Sequence, residues 1–267
     1  MTVYDQIGTG YDTTRKADPF ITARLAAHLQ IQEDQSYLDV ACGTGNYTVE
    51  ISIKHGGLWT GIDESSKMIA EARRKSDRVN WVLSPCEAIA AADETFDGAI
   101  CTLAIHHFAS LDKAFREVFR VMRSGRFVIF TATPQQMQSY WLCEYFPQAL
   151  KAAIKQMPSE QEVSESLRNA GFKTNSTEKY GIRRDLRDFF LYSGKFNPEM
   201  YLDPIARSGI STFANLASPA EIQIGCERLA RDIKSGKIYE IQRKYEHDSG
   251  DYLFITAEKQ NECHTNE

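Results

Sequence analysis

The chain has 267 residues, enough for one large α/β domain or a domain carrying a sizeable insertion. A formal charge of −5 leaves no basic footprint for non-specific nucleic-acid binding. Six cysteines, at 42, 86, 101, 143, 226 and 263, form no C-x-x-C pair, which speaks against a disulfide framework or a metal cluster and for a reducing, cytoplasmic setting. The first residues, Met-Thr-Val-Tyr-Asp-Gln, lack a basic and apolar signal pattern, and no apolar run has transmembrane length. Residues 1–20 carry Tyr4, Tyr11, Arg15 and Asp18-Pro19, more aromatic than a fraying tail. Phe20, Ile21, Leu25 and Leu29 then recur at helical spacing.

The stretch from Ser36 to Val49 organises the rest of the chain. An apolar run, Tyr37 to Ala41, is broken only by Asp39; the chain then turns through Gly43 and Gly45 and enters a helix-compatible segment, Tyr47 to His55. This is a buried strand, a tight glycine turn and a helix, the local geometry of a nucleotide-binding βα unit. Glycine serves where the backbone must turn without a Cβ or approach a ligand closely, and the helix start offers free N–H groups to an anion. A dinucleotide fingerprint starting at Gly43 would need glycine or alanine at position 48, where Thr48 stands. Asp39 puts a carboxylate on the strand itself, ready for an ammonium group or for turn N–H groups.

Leu58 to Asp63 is a second strand, ending in an acid twenty positions beyond Gly43 that can accept both hydroxyls of a ribose. Ser65-Ser66 caps a helix with Met68, Ile69 and Ala72 on one face. Trp81-Val82-Leu83 is the third strand, followed by Ser84-Pro85-Cys86-Glu87-Ala88. Ala99 to Ile105 is a fourth buried strand ending at His106-His107-Phe108, Asp112 to Met122 an amphipathic helix, and Ser124-Gly125 a turn into the fifth strand, Arg126 to Thr133. Strands alternating with helices at this rhythm give parallel βαβ units and a doubly wound sheet, whose ligands sit beyond the carboxyl ends of the strands. Asp39, Gly43, Asp63, Cys86 and His106 all fall there.

From Pro134 the pattern changes. Tyr140-Trp141-Leu142 and Tyr145-Phe146-Pro147 crowd aromatics into one predicted helix. Ser159 to Ala170 is a helix with Glu162 in a capping-box position, ended by Gly171. Lys173 to Ile182 and Gly250 to Glu258 are predicted as sixth and seventh strands. Between them Asp185 to Tyr192, Asn197 to Ser208 and Pro219 to Ser235 read as helices of an insertion over 185–249. That leaves 1–184 with 250–260 as the core, 1–20 as an N-terminal cover, and 261–267 as a disordered tail.

The run Leu-Asp-Val-Ala-Cys-Gly-Thr-Gly-Asn, residues 38–46, closely resembles motif I of the class I S-adenosylmethionine (SAM) dependent methyltransferases of the type 11-like kind, and the later motifs fall at matching distances. Ala41 stands where the family usually has glycine. The resemblance implies a doubly wound, mostly parallel seven-stranded sheet with strands six and seven antiparallel, SAM as cofactor and S-adenosylhomocysteine as product. It implies cofactor contacts from Asp39, Gly43 and Gly45, from Asp63 to the ribose, from Met68 to the adenine, and from Leu103. The family commonly has an aspartate for the adenine amino group where this chain has Pro85, so adenine recognition falls to the Cys86 N–H, Ser84 or Glu87. Tyr11 and Arg15 match a segment that folds over the cofactor, with the arginine near the methionine carboxylate. The run Tyr201 to Ile205 and the C-terminal strand are also loosely similar to the trans-aconitate methyltransferase group.

Methyl transfer from a sulfonium asks the protein mainly to position a nucleophile and exclude water. A carboxylate acceptor needs no base; a hydroxyl or amine benefits from one, and His106 and His107 are placed for it. Tyr140, Trp141, Tyr201 and Arg207 are the expected acceptor-side residues, with the insertion as a lid over a small-molecule substrate. The chain is expected to work without nucleic acid or membrane, as a monomer or homodimer. The rival readings are a non-catalytic SAM-binding or partner module and a methyltransferase acting on a macromolecule. A nicotinamide oxidoreductase would need the third glycine.

Overall fold

The computed structural model describes residues 11–260; Tyr4, Cys263 and the tail from 261 lie outside that range, as does the side chain of Tyr11. Two compact units emerge, one built from Pro19–Thr131, Glu160–Glu178 and the chain from Phe254, the other from the chain up to Asp18, Ala132–Ser159 and Lys179–Leu253.

The first unit follows the strand–helix alternation. After a one-turn helix α1 (Tyr11–Thr14) and α2 (Pro19–Leu29) come β1 (Ser36–Val40), α3 (Asn46–His55), β2 (Leu58–Asp63), α4 (Ser66–Lys75), β3 (Asn80–Leu83), β4 (Phe96–Thr102), α5 (Leu111–Val121) and β5 (Met122–Thr131). Later elements of the chain are α6 (Pro134–Gln138), α7 (Pro147–Gln156), α8 (Glu160–Asn169), β6 (Lys173–Tyr180), α9 (Pro204–Ser208), α10 (Pro219–Ser235), α11 (Lys237–Lys244) and β7 (Tyr252–Lys259). The sheet order is β3-β2-β1-β4-β5-β7-β6, with β1–β2, β1–β4, β2–β3 and β4–β5 all parallel. Asp251, just before β7, donates to Tyr180 at the end of β6, while Lys173 at the start of β6 reaches Gln260 just past β7, so β6 and β7 run antiparallel. Phe254 packs on Phe130 near the end of β5, and Lys259 reaches the Met122 carbonyl at its start, so β7 opposes β5 as well.

β1 is a central strand covered on both faces, with Tyr37, Leu38 and Val40 buried, hence its nearly unbroken apolar run. Strand order reverses on either side of it, which makes the ends of β1 and β4 the topological switch point. The expected turn at Ser124-Gly125 is instead inside β5: Phe96 pairs with Met122 and Gly98 with Arg126, a bulge of extra residues on β5. Gly125 sits there at φ +89°, and a Cβ would lie 2.2 Å from the Asp97 carbonyl oxygen.

The second unit takes in more than the expected insertion, because residues 132–159 and the chain up to Asp18 belong with it. Proline divides what read as longer helices. Residues 140–147 are not one helix but a 3-10 turn, Trp141–Glu144, followed by α7 starting at Pro147. Asn197 to Ser208 likewise splits into a 3-10 turn at Pro198–Leu202 and α9 at Pro204. A proline is comfortable at the first helical position but holds its predecessor out of the helical region, so each one starts a new element. Asp185 to Tyr192 is irregular chain, not helix. α10 spans Pro219–Ser235 as expected, from the Ser218 cap to a left-handed Gly236. The unit's core is aromatic: Tyr140 stacks on Tyr192, and Trp141 meets Tyr145 and Tyr201 edge-on.

Candidate functional site

At the end of β1 the backbone takes three left-handed steps, Ala41 at φ 57°, Gly43 at 57° and Gly45 at 74°. The two glycines are needed for different reasons. A Cβ on Gly45 would lie 2.2 Å from the Trp81 ring, so its place is filled by packing, whereas one on Gly43 would meet nothing within 4 Å. Gly43 therefore presents bare backbone to open space, the condition for a ligand to approach closely. Ala41 tolerates its left-handed conformation at a cost of roughly 1–2 kcal/mol.

Asp63, at the end of β2, crosses to this turn. Its Oδ2 accepts the Gly43 N–H at 2.9 Å and its Oδ1 the Ser65 N–H at 2.9 Å. Two backbone donors thus fix the carboxylate, and because a carboxylate oxygen can accept more than one hydrogen bond, the group can take a vicinal diol as well.

Asp39 is the unusual member. It is 2 % exposed; its Oδ2 accepts the Thr48 hydroxyl at 2.5 Å, and its buried Oδ1 has no hydrogen-bond partner. Burial pushes its pKa up to about 7, with the Thr48 hydrogen bond opposing and the Asp63 charge reinforcing the shift. The Cys42 and Cys101 thiols are raised well above their usual range by burial and by the nearby carboxylates, so they are not nucleophiles. An orphaned buried acceptor, open space over Gly43 and a positioned acid at β2 together fit an amino-acid nucleoside: the ammonium at Asp39, the backbone of Gly43 beside the chain, the ribose at Asp63.

The loop after β3 is shaped by its own side chains. Ser84 is buried, its hydroxyl 3.2 Å from the Ala88 carbonyl and accepting the Ala90 N–H at 3.0 Å, which commits it to the loop. Cys86 Sγ donates to Glu87 Oε2, and Glu87 Oε1 accepts the Ala109 N–H at 2.9 Å, joining this loop to the segment after β4. Glu117 on α5 accepts the Ile89 N–H, and Arg120 donates to the Ile89 and Ala91 carbonyls. Met68 is 1 % exposed on α4, packed as a core residue. Leu103, at φ 55°, closes the end of β4 with an N–H to the Phe130 carbonyl.

His106 and His107 form a 3-10 turn with Ile105, their rings 3.9 Å apart. His107 is exposed on one side, and desolvation on its packed side lowers its pKa, so it is neutral imidazole at pH 7.

The expected acceptor-side residues belong to the aromatic unit, and their polar atoms are engaged within it. Tyr140 and Tyr201 are fully buried, Trp141 nearly so. The Tyr140 hydroxyl donates to the Asp251 carbonyl, Trp141 Nε1 to the Lys195 carbonyl, Tyr201 to the Leu191 carbonyl, and Arg207 to the Tyr201 carbonyl. Arg15 grips Asp188 through both oxygens, at 2.6 and 3.2 Å. The sequence pattern did not reveal the roles of Thr48, Asp188 or the part-buried Lys195–Asp251 pair at 2.8 Å. Only Thr48 carried a signal, as the residue that spoils a dinucleotide fingerprint. Among the described residues no cluster of His, Cys, Asp or Glu could hold a metal ion, and no helix is long and apolar enough to cross a membrane.

Residues 38–130, the strands and turns that carry these groups, match a family described as a methyltransferase domain. A crystal structure from Anabaena variabilis, assigned as a methyltransferase of an antibiotic biosynthesis pathway, is 31% identical. It superposes with a TM-score of 0.80 over 91% of this chain and 98% of that one. The O-methyltransferase resE of Aspergillus sclerotiorum is 27% identical over 61% of this chain, a match spanning only 64% of that protein's length. The ubiquinone/menaquinone biosynthesis C-methyltransferase UbiE of Geotalea daltonii is 25% identical over 64% of this chain and 86% of its own.

Proposed function

The chain belongs to the class I SAM-dependent methyltransferases, and from that membership we propose that it binds SAM at the ends of β1 and β2 and transfers the methyl group to a carboxylate, hydroxyl or amine of a small molecule. The observation that carries this reading is the convergence of Asp39 Oδ1, the open backbone at Gly43 and the doubly held Asp63 carboxylate on the switch point of the sheet. SAM supplies an activated methyl on a sulfonium; the chain's residues hold and orient it. Asp39 receives the ammonium, Asp63 the ribose diol, and the Cys86 N–H or the Glu87 carboxylate the adenine edge, since the Ser84 hydroxyl is engaged by its own loop.

His106 and His107 are the proposed proton acceptors for a hydroxyl or amine nucleophile, supported by the neutral state of His107 at pH 7. The aromatic unit is the proposed source of acceptor selectivity, with Tyr140, Trp141 and Tyr201 as its rigid frame and Arg207 its candidate partner for an acidic group. A small acceptor agrees with the chain's net negative charge and with relatives named for O- and C-methylation.

The test has two stages. Calorimetry with SAM, S-adenosylhomocysteine and NAD(P) should give heat for the first two only. Incubation with methyl-labelled SAM and a metabolite extract should then yield a labelled small molecule. Binding of SAM with label appearing only in protein or nucleic acid would favour the macromolecular alternative.

A further inference from the structure

Asp39 stands out among the buried carboxyl groups of the sheet unit. Its Oδ1 has no hydrogen-bond donor, and no lysine or arginine is bonded to either oxygen. The groups that face it are Asp63 from β2, the Cys101 thiol from β4, the Cys42 thiol from the turn, and the Thr48 hydroxyl from α3. Of these only Thr48 stabilises a charged carboxylate; the two thiols stay protonated, and Asp63 repels a second charge. A carboxylate without a compensating cation in a water-excluded site is costly, so the free chain favours the neutral acid.

From this geometry, and resting on the cofactor reading above, we infer that cofactor binding is coupled to release of a proton from Asp39. When an ammonium group docks at Oδ1, the carboxyl O–H bond breaks, its proton passes to solvent, and the resulting carboxylate accepts an N–H from the ammonium. The buried pair is then formed only in the bound state. Its counter-charge arrives with the ligand, so below pH 7 the empty chain is spared most of the cost of an unpaired anion there. The coupling has two consequences. Affinity for SAM rises with pH up to neutrality, by nearly tenfold per unit well below pH 7. Product carries the same ammonium, so its departure takes a proton up again, and retention of both is weakened in acid.

The test is calorimetric titration of the intact chain at pH 6.5 in two buffers of different ionisation enthalpy, where the ligand's own α-amino group is fully charged. With the Asp39 pKa near 7, roughly three quarters of a proton should be released per SAM or S-adenosylhomocysteine bound. 5′-Methylthioadenosine keeps the nucleoside and thioether but has no ammonium, and its heat should not depend on the buffer. Asp39→Asn preserves the shape and a hydrogen bond to Thr48. Its folding is checked by its melting curve, and it should bind SAM more weakly, without proton release and without pH dependence between 5 and 7. SAM binding with no buffer dependence in the parent chain, or with the same release in the Asn variant or from methylthioadenosine, would overturn the inference. Absence of heat with both SAM and S-adenosylhomocysteine would remove the cofactor reading itself and this inference with it, an outcome told apart by the missing binding signal.

Discussion

Asp63 holds the turn through two backbone bonds, and the proposed cofactor site gives the same carboxylate a second role. Asp63→Ala removes the acceptor for the Gly43 and Ser65 N–H groups along with that for the ribose diol. SAM affinity should drop tenfold to hundredfold, roughly 1.5–3 kcal/mol, read by calorimetry, while the chain stays folded. Unchanged affinity would remove Asp63 from the site. The two turn glycines should part company under substitution. Gly43→Val adds atoms where nothing stands, so it should fold, with the strain of its left-handed backbone, and fail to bind SAM; Gly45→Ala collides with Trp81 and should lose stability first. A stable Gly43 variant with normal binding would put the ligand elsewhere. Asp39 leaves a second signature, in stability. Its folded pKa of about 7 lies above the unfolded value of about 3.9, so the folded chain holds that proton more tightly. The contribution is complete below pH 4 and is lost as pH rises through 7, a swing of at most roughly 4 kcal/mol. The free chain should therefore unfold more readily at pH 8 than at pH 6, and Asp39→Asn should flatten that slope in denaturant titrations. Glycine and acid positions were legible because backbone geometry dictates them at fixed spacing. The roles of Asp188 and Asp251 were not, because their partners lie 173 and 56 positions away.

Elements were read correctly where periodicity was long and wrongly at prolines, at a bulge and across residues 185–192, which form irregular chain. α10 matches its expected limits, since Ser218 and Gly236 bracket a clean amphipathic run. The helices expected at 140–147 and 197–208 broke at Pro147, Pro198 and Pro204, which apolar spacing alone conceals. Ser124-Gly125 looked like a turn because glycine marks both turns and bulges. The loop between β3 and β4 carries a clamp from α5 whose effect is local. Glu117 and Arg120 pair at 2.8 Å and hold Ile89 and Ala91 by backbone bonds, and that pairing lowers the Glu117 pKa. Arg120→Ala should speed amide exchange across 87–94 by about tenfold, the equivalent of about 1.4 kcal/mol of local opening, leaving β1 protected. Equal protection in both proteins would show that the loop is held by its own hydrogen bonds.

Across the whole chain, the two units are stabilised by different chemistry. The sheet unit rests on apolar strands, while the helical unit rests on stacked aromatics around buried ion pairs. Asp188 is 1 % exposed and held by Arg15 from the N-terminal segment, whose Thr14 and Asp18 also bind the backbone of Phe189 and Arg187. Arg15→Ala leaves that carboxylate buried and unmatched by its guanidinium, a loss of about 3–5 kcal/mol. The variant should melt earlier, and removal of residues 1–18 should do the same before any effect on the cofactor is measured. An unaltered melting curve would assign the pair no structural weight. The doubly wound, mostly parallel sheet was legible in the alternation of strands and helices, and its antiparallel β6–β7 pair in the motif I resemblance. The make-up of the helical unit was not, because it gathers three separate stretches of chain.

The most direct measurement is a crystal structure of the chain with S-adenosylhomocysteine. The ammonium should lie within hydrogen-bond distance of Asp39 Oδ1, the ribose hydroxyls on Asp63, and the amino-acid chain against the bare backbone of Gly43. A nucleoside bound away from the ends of β1 and β2, or a solvent-filled space over Gly43 with Asp39 Oδ1 receiving no N–H from the ligand, would contradict the assignment of this turn as the cofactor site.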